Sequence, residues 1–139
     1  YPALPSSYII DYTGNYKKWF KNIEFLEKAK ISVLCPAHDG YQEARHVSPY
    51  IRDVKESFMQ FESQLLMAMT EQKFLDRDEL VERVHASQGI VWYHPYMMMA
   101  PKVNMEAHLN KLIDNKKVQK NEKSDPVTYT YIGPKDDFY

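Results

Sequence analysis

The chain has 139 residues, 44% of them hydrophobic and 27% charged, with a net charge of −1. That length holds one domain or a small pair, and the near-neutral balance excludes a protein that coats nucleic acid generally, though not one with a local basic face. No apolar run approaches the roughly 18–20 residues of a membrane span, and the one cysteine, Cys35, excludes an internal disulfide framework and fits a reducing compartment, read here as cytoplasmic.

The sequence opens at Tyr1, with no initiator Met and no signal-peptide pattern. Tyr1-Pro-Ala-Leu-Pro-Ser-Ser7 reads as a loop entered in mid-course, so the expectation is a piece of a longer protein. Gly14 and Asn15 precede a helical pattern in which Tyr16, Trp19, Phe20, Ile23 and Leu26 share one apolar face. The helix should stop near Lys30. Residues 31–35 then read as a short buried strand, with Cys35 an inert buried thiol. A helix followed at once by an apolar strand is half of a βαβ unit. The strand stops at Pro36, and His38 stands in the turn Pro36-Ala-His-Asp-Gly40. A histidine delivered into a loop by a strand end serves as a metal ligand, an acid–base group or simply a loop cap.

Ser48-Pro49 predicts the start of a second helix, with Ser as N-cap and Pro in the first turn. Its stripe of Ile51, Val54, Phe58, Phe61, Leu65 and Ala68 carries it to about Met69. Asp76 and Glu79 form the capping box of a third helix, which holds Leu80, Val81 and Val84 and ends before Gly89. Residues 90–101 read as an aromatic- and Met-rich connection bounded by prolines. A fourth helix follows over 102–115, with Met105, Leu109, Leu112 and Ile113 inward. Residues 118–120 and 127–132 read as two short strands about a polar turn, and the tail from Gly133 as loose. Helix, helix, helix and β-hairpin in this order is a winged-helix arrangement.

The chain has no His-x-His or His-x-x-x-His pair, no Gly-rich phosphate loop, no nucleophile elbow and no Cys-x-x-Cys, so by itself it lacks a complete catalytic constellation. His46 reads as a solvated loop histidine just before the second helix. His85 and His108 read as packing or surface histidines, and His94, among aromatics, as structural. The Met97-Met98-Met99 run reads as core packing ahead of a partner or substrate surface. The fourth helix and wing carry Lys102, Lys111, Lys116, Lys117, Lys120 and Lys123 against Glu106, Asp114 and Glu122, which makes that segment mildly basic. With no arginine there to read guanine, a solvated lysine face beside a substrate cleft is expected ahead of sequence-specific DNA binding.

The first helix, the strand at 31–35 and Pro36-Ala-His-Asp-Gly40 resemble the closing segment of a metallo-β-lactamase-fold hydrolase. In that family a Pro-Gly-His-Gly or Pro-Ala-His-Gly turn carries the last metal ligand, which maps onto His38. Tyr50-Ile-Arg52, the long helix and the winged helix resemble the C-terminal region of the lactamase-like subgroup that includes a mitochondrial endoribonuclease. The resemblance spans residues 12–132. It implies an α+β chain: the closing helix–strand unit of an αββα metallo-β-lactamase fold over 1–57, then a mostly helical winged-helix domain over 58–139. It implies a parent hydrolase that binds one or two zinc ions and attacks an ester, thioester, amide or phosphodiester, with a small-molecule or acyl substrate, no membrane and a possible homo-oligomer. The fragment alone should be inactive. Two departures stand out. Asp39 occupies the place of the family's small residue, and the His-x-His-x-Asp-His motif, the middle histidine and the bridging aspartate are absent, with Asp11 a poor substitute. The rival expectations are a winged-helix module that binds nucleic acid or protein, and the C-terminal part of a metal-dependent ribonuclease.

Overall fold

A computed structural model describes residues 15–36, 40–87 and 99–134. Asp11, His38, Asp39, His94, the Met97-Met98 pair and the end of the tail lie outside the described residues. The elements in order are α1 (Tyr16–Lys28), β1 (Val33–Leu34), β2 (Gln42–Glu43), α2 (Ala44–Glu71), β3 (Leu75–Asp76), α3 (Arg77–Ser87), α4 (Met99–Asp114), β4 (Val118–Asn121) and β5 (Thr128–Tyr131). The chain divides into two compact units, with the break between Gln60 and Phe61 inside α2.

The first unit holds α1, the β1–β2 hairpin and the first half of α2. Ile23 of α1 and Val47, Ile51 and Val54 of α2 form its buried core, and Trp19, Leu26, Ile31, Leu34 and Tyr50 pack on it. Phe58 is fully buried. Its ring stacks on Trp19 at 4.9 Å and meets the Phe20 ring edge-on at the same centroid distance. Each such pair contributes about 0.5–1.5 kcal/mol beyond area burial. Lys55 on α2 also reaches Glu27 on α1 at 2.8 Å, but both are half-exposed and the pair adds little.

Three expectations need correction here. The second helix starts at Ala44, with Pro49 inside it, and not at Ser48. Val47 is buried with Ile51 and Val54, so the apolar stripe extends upstream of the proline and holds the extra turn in place. Pro49 costs that turn one backbone hydrogen bond, a loss confined to the helix start. The strand expected at 31–35 pairs over Val33 and Leu34 alone, and Val33 is 56% exposed. A two-stranded ribbon covers only one face, so Leu34 packs inward while Val33 and Cys35 are left outside; the thiol is exposed, not buried. Among the described residues the partner of β1 is the antiparallel β2.

The second unit has an antiparallel sheet of order β3-β5-β4, with Leu75 opposite Tyr129, and Val118 opposite Tyr131. Its core combines Phe61, Leu65, Leu66 and Met69 of α2, Leu80, Val81 and Val84 of α3, Met105, Leu109 and Leu112 of α4, and Leu75, Val118 and Tyr129 of the sheet. Asp76 and Glu79 form the expected capping box. The Glu79 amide donates to the Asp76 carboxylate, and the Asp76 amide to the Glu79 carboxylate, each at 2.9 Å. α4 begins at Met99, earlier than the expected Lys102, because Pro101 falls in the first turn, where its missing N–H is not needed. α4 ends in a Schellman motif. The Lys117 amide donates to the Leu112 carbonyl and the Lys116 amide to the Ile113 carbonyl, both at 2.9 Å. Lys116 sits at φ 58°, the left-handed region where a β-carbon is strained.

Two stability effects follow. Phe58→Ala removes both ring contacts and leaves a cavity, so urea titration should show a loss of about 3–5 kcal/mol. Lys116→Gly relieves the left-handed strain at the end of α4. It should gain about 1 kcal/mol and raise Tm by a few degrees.

Candidate functional site

Residues 35–41 connect the paired strands of the first unit. Val33 lies opposite Glu43 and Leu34 opposite Gln42, so the connection is clamped at both ends. The Gln42 side-chain amide donates to the Gly40 carbonyl at 2.7 Å and fixes the return limb. β2 runs directly into α2, so the longest helix backs this limb. His38, the residue with the strongest sequence claim to chemistry, lies in this connection but outside the described residues, as do its neighbours Ala37 and Asp39.

The other described histidines are not brought near one another as ligands. His46 is exposed on the first turn of α2, not in a loop before the helix, because α2 starts upstream of it. His85 and His108 are fully buried, as packing histidines are. Among the described residues no group of three His, Cys, Asp or Glu side chains is placed to hold a metal ion. The described donor set therefore does not fit a zinc site by itself, and no chemical step is derived through one. Several lysines of the mildly basic face are held in ion pairs: Lys102 with Asp78 at 2.9 Å, Lys111 with Glu62 at 2.7 Å, and Lys120 with Glu122 at 3.6 Å. Lysines held this way carry less charge to offer a phosphate backbone.

Sequence reasoning missed a partly buried charged cluster in the second unit. Glu62 follows the core residue Phe61 on α2 and is partly buried. Both its carboxylate oxygens accept from the Lys111 ammonium of α4 at 2.7 Å. His108 Nδ1 stands 3.5 Å from the same carboxylate. Burial pushes the Glu62 carboxyl up, but the hydrogen bonds and charges of His108 and Lys111 outweigh it and hold it below the ordinary value. The only sequence signal was the spacing of His108 and Lys111, which are neighbours on one face of α4.

A concave feature lies where α3 begins. It is an open cleft of about 290 Å³ with Arg77, Asp78 and Lys120 at its walls and Val127 and Tyr129 among its apolar lining. Lys102 bonds Asp78 and holds its carboxyl below the usual range, while Arg77 pairs with Asp78 at 3.4 Å and Glu106 at 3.5 Å. Opposite charges already satisfy one another there, and no nucleophile–base pair is present in that lining.

No family model matches the sequence, and no curated protein matches it. A solved structure does. The crystal structure of a beta-lactamase domain protein from Burkholderia ambifaria superposes with a TM-score of 0.69 at 14% identity, over 84% of this chain and 33% of that one. The chain shares its fold with part of a β-lactamase domain protein. It spans about a third of that protein's length. The α+β expectation holds at this level: four helices with two small antiparallel sheets among the described residues. No helix among the described residues is both long and apolar enough to cross a membrane.

The partly buried cluster predicts a specific coupling. Lys111→Met should destabilise the chain by about 1–3 kcal/mol, because the Glu62 carboxylate loses its bidentate partner in a largely buried site. Adding Glu62→Leu should recover most of that loss. A double-mutant cycle by urea titration measures it; losses that simply add would show that the pair is not coupled.

Proposed function

We propose that this chain is the C-terminal part of a metallo-β-lactamase-fold hydrolase, with His38 as its last metal ligand. The observation that carries the reading is the fold likeness over 84% of the chain, combined with the hairpin that clamps the His38 connection just ahead of α2. Val33 and Tyr41, 56% and 69% exposed beside that connection, suit a hairpin that continues into a larger sheet. In this reading the remaining ligands come from residues outside these 139. The metal, one or two zinc ions, would activate water for attack on an ester, thioester, amide or phosphodiester.

Residues 58–139 are, in the same reading, a winged-helix domain that closes over the cleft and shapes access for the bulk of the substrate. The succession α2, β3, α3, α4, β4, β5 and the sheet order β3-β5-β4 support it. The ion-paired lysines weigh against nucleic-acid binding in this reading.

The 139-residue chain should bind zinc no better than an isolated surface histidine does. Calorimetry finding a Kd at or below about 1 μM, lost in His38→Ala, would falsify the claim that the other ligands lie elsewhere. In a longer protein carrying those ligands, His38→Ala should cut both bound zinc and hydrolysis by at least about 100-fold. Unchanged zinc content there rejects His38 as a ligand.

A further inference from the structure

The open cleft where α3 begins belongs neither to the His38 connection nor to the Glu62 cluster, and the proposed hydrolysis does not use it. Its volume of about 290 Å³ is close to the lower limit for a small-molecule pocket. Pro126, Val127 and Tyr129, leading into and along β5, give it an apolar side, while Arg77 of α3 and Lys120 of β4 bring positive charge. We propose that this cleft binds a small organic oxyanion, a carboxylate or phosphate carried on an apolar body, held by Lys120, Arg77 and the Tyr129 hydroxyl.

The charges of the cleft pair with one another, but they engage its acceptors and donors unequally. Each aspartate in the lining already accepts a bond at 2.9 Å: Asp76 from the Glu79 amide, and Asp78 from the Lys102 ammonium. The first turn of α3 is capped by Asp76 itself, so anion binding falls to side chains and not to the helix end. The two cations of the lining are held more loosely. Lys120 has Glu122 at 3.6 Å, outside hydrogen-bond range, as its ion-pair partner. Arg77 reaches Asp78 through Nε at 3.4 Å and stands 3.5 Å from Glu106 through one terminal nitrogen. Glu106 and Glu122 have side chains 52% and 76% exposed, so either can turn into water at little cost when a ligand anion arrives. The ammonium and the planar guanidinium then offer several N–H groups to an oxyanion.

Tyr129 supplies the third donor. The residue is 8% exposed, and its hydroxyl makes no hydrogen bond among the described residues. Burial foremost pushes the hydroxyl above its ordinary value, while Lys120, Glu106, Arg77 and Glu122 pull it in opposite directions. Those four are the charged groups of the loosely held pairs, which places the hydroxyl among them. It is protonated at neutral pH and so donates. A buried tyrosine ring ordinarily has a partner for its O–H, and a ligand oxygen in the cleft provides one. The apolar body of the ligand would lie against Val127 and Pro126.

The test titrates the intact 139-residue chain, followed by two-dimensional NMR, with benzoate, phenyl phosphate, neutral benzyl alcohol and cationic benzylamine. Saturable shifts centred on Lys120, Val127 and Tyr129 are expected with at least one of the two anions, at a Kd of about 0.1–10 mM for ligands this small. Binding of one anion alone assigns the site to carboxylate or to phosphate, and binding of both to the shared oxyanion. Benzyl alcohol and benzylamine should bind at least about 10-fold more weakly. Tyr129→Phe keeps the ring and breaks no hydrogen bond among the described residues, so urea stability should hold while anion binding weakens about 2- to 10-fold. Lys120→Gln, at a half-exposed position, should weaken it about 10-fold and reduce its dependence on salt. Failure of both anions to saturate by about 50 mM, benzylamine binding as tightly as the anions, or undiminished binding in both variants overturns the proposal. Should Tyr129→Phe not fold, Lys120→Gln decides. Neither His38 nor a metal takes part, so failure of this site and failure of the hydrolase reading are separable.

Discussion

The constraint on which the structure depends is the apolar stripe of α2, which must be covered along its whole length. Val47, Ile51 and Val54 lie in one core, Phe61, Leu65 and Met69 in the other, with fully buried Phe58 just before the break. A helix this long gains little from propensity alone; its stability comes from what packs on the stripe. α1 and the hairpin cover the first part, and α3, α4 and the three-stranded sheet the second. Each unit is small, and a small core leaves little surplus over conformational entropy. The aromatic trio of Trp19, Phe20 and Phe58 and the Glu62–Lys111 pair are therefore large terms in their own units, not ornaments on a large core.

What could be read from the sequence follows from which signals are local. The face of α1, the capping box at Asp76, the inward residues of α4 and both late strands were legible because spacing and capping chemistry act over a few residues. Ser48-Pro49 misled for the same reason. It is a good local start signal, overruled by burial of Val47 upstream. β3 was missed because two residues carry no period, and only pairing with β5 makes them a strand. Residues 31–35 looked buried because an apolar run has no direction of its own. Whether both faces are covered depends on neighbouring strands, which no local pattern reveals.

Functional residues divide along the same line. His38 drew attention because a strand end, a proline and a glycine punctuate it within a few positions, and the clamp of β1 on β2 sits around that punctuation. The Glu62–His108–Lys111 cluster left no comparable trace. Glu62 looks like any polar residue beside a helix stripe, and its partners lie 46 and 49 positions further along the chain. Only the packing of α4 on α2 turns three ordinary side chains into a charge-balanced site.

That balance bears on why polar groups sit in so small a core. Aliphatic side chains of similar volume at positions 62, 108 and 111 would give comparable or greater stability without the desolvation cost. What the polar set adds is direction: the carboxylate accepts a fork of bonds from one position on α4, so a helix slipped by a turn would bury an unpaired charge. Specific docking of α4 on α2 is thus what this choice of residues adds beside Phe61.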